Sequence, residues 1–247
     1  MLILESLPRT HSGARRIIFD AQHTGFDGIV NGGYVAGVLQ SEVGRAAEVR
    51  LMRPVPPDRA LAIVRPDRVA VALMHEGEVL ASAIPKALDF VAPEAISFEC
   101  ALDAQHAYLG LRKTPAPNCF VCGPRRQPGL GLHIFAGDLT PGNVAAAWVP
   151  DAAVVGGAAE VDARFIGAAL DCPGGWAIAS LGEAEHVTML LGTLQLAIVA
   201  PVHAGRWYVV VGAADGGEGR KRFARTALYD GNGQLCALAK SIWLRVH

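Results

Sequence analysis

The sequence predicts a duplicated α+β protein in which each half is an antiparallel sheet framing one helix. Three observations carry this. Asn31-Gly32-Gly33-Tyr34 and Pro173-Gly174-Gly175-Trp176 each set two glycines and a large aromatic at the head of an apolar stretch. Arg53-Pro54-Val55-Pro56 finds an echo in Ala200-Pro201-Val202-His203. The segment Ala72 to Leu80 finds one in Ala227 to Leu235. The pairs keep one order with a growing interval, as a repeat does when its later loops lengthen.

In chain order, Arg15 to Phe19 reads as a short strand. Asn31 suits a helix N-cap, and Tyr34, Val35, Val38, Leu39 and Val43 then recur at helical spacing. Gly44 suits the stop. Ala47 to Leu51, Leu61 to Val64, Val69 to Met74 and Val79 to Ala87 read as strands, with a hairpin turn at Glu76-Gly77. Thr114-Pro115-Ala116-Pro117 is the expected junction, since its prolines resist both helix and ladder. One unit then spans 1–113, a linker 114–118 and a second unit 119–247.

The second unit opens with expected strands at Gly131 to Phe135 and Asn143 to Trp148. Its helix is expected from Pro173 to Leu181, with proline in the first turn, where a missing N–H costs nothing. Leu190 to Val199, Trp207 to Ala213, Phe223 to Tyr229 and Leu235 to Val246 supply the later strands.

Composition narrows the function classes. A hydrophobic fraction of 51% supports a sizeable core over 247 residues. The net charge of −1 argues against nonspecific nucleic-acid binding, which depends on an excess of Lys and Arg. No apolar run is long enough to cross a bilayer, and Met1 to Asp20 lacks the pattern of a signal peptide. Five cysteines without a disulfide-like framework fit a reducing, cytoplasmic setting.

A helix start exposes unpaired N–H groups and the positive end of the helix dipole, and glycine lets a ligand oxygen approach them. The two Gly-Gly-aromatic motifs therefore suggest a site where the halves meet. Close packing of helix on sheet is the competing reading for the glycines, and plain capping for Asn31.

Asn31-Gly32-Gly33-Tyr34-Val35-Ala36, Val49 to Val55, Cys119-Phe120-Val121-Cys122-Gly123 with Gly129 to Leu132, and Ala168-Ala169-Leu170-Asp171 together carry a family resemblance. In their order and spacing the chain resembles double-hotdog acyl-CoA thioesterase-like proteins. The resemblance implies a tandem double hotdog, with two units paired as a pseudo-dimer and acyl-thioester chemistry in the crevice between them. It implies no cofactor beyond coenzyme A as part of the substrate, an acyl-thioester small molecule as partner, and homo-oligomers of such pseudo-dimers.

Carried over by position, the resemblance puts Asn31 where phenylacetate-pathway thioesterases have a histidine, and Gln40 where they have an acid. Asp171 fits the working aspartate of the thioesterase II type. Thr193 lies near that type's threonine, and Lys240 takes the place of its glutamine. The expected site is then Asp171 as base, Thr193 and Lys240 beside it, and the N–H groups of Gly33 and Tyr34 taking the oxyanion. Gly32, Gly174, Gly175 and Trp176 would complete the substrate surface. A cap of the second helix is the competing reading for Asp171, and β-propensity for Thr193.

Gly219-Arg220-Lys221-Arg222 concentrates basic charge suited to coenzyme A phosphates; a solvated loop is the plainer reading. Arg125-Arg126 is a weaker candidate. Cys119 and Cys122 have the spacing of half a zinc site, but no second Cys-x-x-Cys exists. Cys100, His106 and His133 could in principle complete four ligands; a buried or redox-inert pair is the favoured reading, and no metal is expected. Two alternatives of different class share these residues: an acyl-CoA binder that kept the tunnel without turnover, and a purely structural hotdog dimer.

Overall fold

A computed structural model describes residues 14–183 and 188–246. The reading of Met1 to Asp20 as lacking a signal falls largely on residues 1–13, outside the described residues.

The first helix follows its local signals. Asn31 caps α1 (Gly32–Val43) by accepting from the Tyr34 N–H, and Gly44 ends it in a left-handed conformation. Before it lies β1 (Arg15–Ile17). After it come β2 (Ala47–Leu51), β3 (Leu61–Val64), β4 (Val71–His75) and β5 (Glu78–Pro85). The second half repeats this order with β6 (Gly137–Thr140), β7 (Asn143–Trp148), α3 (Ala163–Ile178), β8 (Thr188–Ile198), β9 (Tyr208–Glu218), β10 (Lys221–Asp230) and β11 (Leu235–Val246).

All eleven strands form one antiparallel sheet in the order β1-β3-β4-β5-β2-β8-β11-β10-β9-β7-β6. Outward from the central β2–β8 pair the two halves mirror each other: β5 matches β11, β4 matches β10, β3 matches β9 and β1 matches β7. That pair joins the halves through Ala47↔Leu196, Glu48↔Gln195, Val49↔Leu194 and Arg50↔Thr193. The sheet wraps both long helices, and one buried cluster draws on both halves, from Tyr34 and Leu39 to Phe165 and Leu170. A small separate cluster of Ile178, Ala224 and Trp243 belongs to the second half alone.

Helices α1 and α3 cross in backbone contact. A Cβ on Gly33 would lie 2.3 Å from the Gly167 carbonyl oxygen and 2.5 Å from the Asp171 Cβ. One on Gly37 would lie 2.2 Å from the Ala163 oxygen. Glycine is required here by proximity, and the crossing carries the middle of α3 to the start of α1.

Three expectations are corrected. The second helix does not begin at Pro173: Asp162 caps α3 ten residues earlier in the chain, so Pro173, Gly174, Gly175 and Trp176 lie inside it. The glycines serve packing instead, since a Cβ on Gly175 would meet the Trp243 ring at 3.0 Å and one on Gly174 the Ser241 Oγ at 3.0 Å. The helix tolerates its internal proline while buried against the sheet, where the Thr226 hydroxyl donates to the Leu170 carbonyl at 2.8 Å. Residues 131–135 are not a ladder strand. Leu132 and Ile134 donate to the Phe120 and Val121 carbonyls, but His133 at φ 52° interrupts the extended run.

An unforeseen helix, α2 (Phe98–Ala104), is capped by Ser97. With Leu88 and Phe90 it covers the outer face of the sheet over Ala145, Val209, Val211 and Leu238. The junction at 114–118 lies in an irregular stretch. Among the described residues, no helix is long and apolar enough to cross a membrane.

Candidate functional site

The helix crossing sets Asp171 against the first turn of α1. Its Oδ2 accepts from the Asn31 side-chain amide at 2.8 Å and from the Gly33 N–H at 2.9 Å. Its Oδ1 is buried and has no hydrogen-bond partner. Burial pushes the carboxyl up to about 7, against the pull of the Gly33 and Asn31 donors. Asn31 therefore holds both helices: its Oδ1 caps α1 through the Tyr34 N–H, and its Nδ2 fixes Asp171.

These contacts revise two expectations. Asp171 is an interior residue of α3 and caps nothing. The N–H groups of Gly33 and Tyr34, expected to face an oxyanion, are already taken by Asp171 and Asn31. The N–H of Gly32 comes first in the helix, where no intrahelical acceptor exists, and Gly32 faces the cavity described next.

Asp171, Asn31, Gly32, Gly175 and Trp176 line a cavity of about 850 Å³, within the range of small-molecule sites. Its walls are mainly apolar, with Leu51, Val55, Leu190, Leu191 and Trp243 among them. Arg53, Arg112 and Lys113 add basic charge. Of the predicted substrate surface, Gly33, Tyr34 and Gly174 lie behind this lining rather than in it.

Thr193 and Lys240 are not brought to the cavity. Strand neighbours point to opposite faces. Leu194, beside Thr193, and Ala239, beside Lys240, belong to the inner core. Lys240 stands on the outer face with its ammonium 5.9 Å from the Phe90 ring centre, and Thr193 is register partner to the exposed Arg50. The basic hairpin Arg220, Lys221 and Arg222 does not line the cavity either. Lys221 and Arg222 are register partners of Leu244 and Trp243, which do, so the hairpin stands beside that rim.

A second crossing exists by pseudosymmetry. The Val30 N–H donates to the Val55 carbonyl, and the Val161 N–H to the Val202 carbonyl. The interval from Val30 to Val161 also separates cap Asn31 from cap Asp162, Gly33 from Arg164 and Gln40 from Asp171. This regularity was present in the sequence, where the glycine pairs drew the alignment elsewhere. At the second crossing Gln40 donates to the Arg45 carbonyl, and Arg164 packs over Phe165. A smaller cavity of about 310 Å³ lies there, lined by Glu160, Asp162 and Arg164, and the place that Asp171 holds at the first crossing is taken by the neutral Gln40.

Sequence reasoning also missed one feature of the wall and one of the core behind it. Cys172, next to Asp171, meets Cys119 at 3.7 Å between sulfurs. His23 is buried with its ring stacked on Tyr34 at 4.3 Å, and burial lowers its pKa to about 4. Of the other proposed zinc ligands, Cys100 is exposed and the His133 Nε2 is occupied with the Gln127 carbonyl.

No family model matches the chain, and no curated protein matches it. Among solved structures, a candidate thioesterase II from Thermobifida fusca YX superposes with a TM-score of 0.63 at 14% identity, covering 97% of this chain and 94% of that one. A conserved protein of unknown function with hot dog fold from Alicyclobacillus acidocaldarius gives 0.52 at 13% identity, covering 95% and 92%. The dehydratase domain of a mycocerosic acid synthase-like polyketide synthase gives 0.59 at 12% identity, covering 94% and 90%. Full-length matches of this kind establish the double-hotdog fold. They do not decide the chemistry, since a thioesterase and a dehydratase domain share the architecture.

Proposed function

We propose that the protein hydrolyses an acyl thioester in the cavity beside Asp171. The observation that carries the reading is the asymmetric crossing itself: a carboxylate fixed through one oxygen by Asn31 and Gly33, its other oxygen buried and unpaired, on a residue that lines an apolar cavity. The free oxygen suits a base that takes a proton from water as the water attacks the thioester carbonyl. The Gly32 N–H, at the positive end of α1, suits the developing oxyanion. Collapse of the tetrahedral species then releases the carboxylic acid, and the proton on Asp171 passes to the departing thiolate.

The apolar walls formed by Leu51, Leu190, Leu191 and Trp243 suit an acyl chain. For the carrier we favour coenzyme A, whose phosphates match Arg53, Arg112 and Lys113 at the cavity and the Arg220–Arg222 hairpin beside it. A dehydratase needs a second titratable group facing the aspartate, so that one takes the proton from the α-carbon while the other protonates the β-hydroxyl that departs as water. Asn31 occupies that place, which favours hydrolysis.

The test is free-thiol release from short, medium, long and aromatic acyl-CoAs, read with a thiol-reactive chromophore. Turnover of at least one class supports the proposal. Saturable acyl-CoA binding without release would make the protein a binder instead.

A further inference from the structure

The cavity wall beside Asp171 holds a cluster that the hydrolytic reading does not use. The sulfurs of Cys119, Cys122 and Cys172 all lie within 4.8 Å of one another, and all three residues are buried. They come from two distant segments: the loop joining the halves, and the middle of α3. We propose that these three cysteines bind one zinc ion, whose fourth position opens to the cavity and is filled by water or a small anion.

The geometry supports zinc closely. A Zn–S bond of about 2.3 Å in a tetrahedron sets neighbouring sulfurs about 3.8 Å apart. Cys119 and Cys172 stand at 3.7 Å, and the Cys122 sulfur lies within 4.8 Å of both, so one pair already has the spacing and the third sulfur is near its corner. The loop is shaped as a metal-binding turn. The Gly123 N–H donates to the Cys119 carbonyl at 2.9 Å, and a Cβ on Gly123 would lie 2.4 Å from the Cys119 nitrogen. The Tyr108 hydroxyl pins the turn by donating to the Cys122 carbonyl at 2.7 Å.

Cysteines that merely fill a core have no need of a place in a cavity wall. All three line the cavity, and among the described residues no fourth His, Cys, Asp or Glu joins the group. That leaves the open side facing the cavity. Soft thiolate ligands select zinc over magnesium or calcium. The ion would staple the inter-unit loop to α3 beside Asp171.

The inference does not depend on thioester hydrolysis, and its test reads metal directly. The full chain, purified in reductant without chelator and dialysed, is analysed for zinc by mass spectrometry. A metal-free sample is titrated with cobalt(II), whose thiolate charge-transfer and tetrahedral d–d bands report ligand type. The expected result is one zinc per chain and a cobalt spectrum of thiolate-rich tetrahedral type. Cys122→Ser and Cys172→Ser should lose both, while Cys100→Ser keeps them. If the serine variants fail to fold, the wild-type cobalt spectrum decides alone. Reduced wild-type chain that takes up no zinc and gives no thiolate band would overturn the inference. So would zinc that remains at full occupancy in a folded Cys172→Ser.

Discussion

Replacing Gly33 by alanine sets two effects of opposite sign against each other. Helix propensity alone favours alanine by about 1 kcal/mol. The crossing opposes it, because the new methyl would lie 2.3 Å from the Gly167 oxygen and 2.5 Å from the Asp171 Cβ. The obstacle at Gly167 is backbone, so the helices must separate by roughly an ångström, an overpacking cost of about 1–3 kcal/mol. Separation also stretches the bonds at 2.8 and 2.9 Å that hold the Asp171 carboxylate, each worth about 1.5–3 kcal/mol. The net expectation is a loss of about 3–8 kcal/mol, which lowers the melting temperature by roughly 6–32 °C for a chain of this size. Thermal unfolding followed by circular dichroism measures it. A Gly33→Ala protein as stable as wild type, or more so, would refute a backbone-contact crossing and with it the placement of Asp171.

Other outcomes follow from the same geometry. His23 has a folded pKa near 4 against an unfolded value of 6.5. Below pH 6.5 the unfolded chain therefore binds a proton that the folded one refuses, so His23 by itself takes up to about 3 kcal/mol from stability between pH 6.5 and 4. The raised Asp171 carboxyl acts in the opposite sense over the same window, so the readout is the difference in denaturant midpoint between wild type and His23→Gln, which should change by that amount. Leu51→Trp narrows the apolar wall, so thioesterase activity should move toward shorter acyl chains, read as the ranking of kcat/KM across the panel. Thr193→Ala and Lys240→Ala sit on the outer face, and each should leave kcat within about twofold. A loss of a hundredfold in either would restore the expectation drawn from the family resemblance.

How much was legible follows from which signals are local. α1 could be read outright because its cap Asn31, its periodic apolar face and its stop Gly44 lie within one short segment. β2, β3, β7 and β11 fall at the expected bounds for the same reason. α3 was misread because Pro173-Gly174-Gly175 imitates a helix start, whereas its true cap, Asp162, follows no such break. What keeps that proline inside a helix is tertiary: burial under the sheet, and the close approach of Trp243 to Gly175.

The site divides in the same way. Asn31 and Asp171 could be singled out from sequence, but their bond depends on how closely Gly33 and Gly167 approach. The inward or outward sense of Thr193 and Lys240 depends on strand parity, and a bulge between Ile242 and Trp243 resets it within that ladder. The meeting of Cys172 with Cys119 and Cys122 joins positions 53 residues apart, a contact no local pattern encodes.

The most direct measurement is the rate of thioester hydrolysis by Asp171→Asn on the best acyl-CoA, alongside its KM and melting temperature. The amide keeps the shape, so Asn31 and Gly33 can still donate to its oxygen, and folding should survive. Loss of the base should lower kcat by about 10²–10⁴-fold, or roughly 3–5 kcal/mol in barrier, with KM little changed. A folded Asp171→Asn enzyme that turns over at the wild-type rate would contradict the account and move the chemistry elsewhere in the cavity.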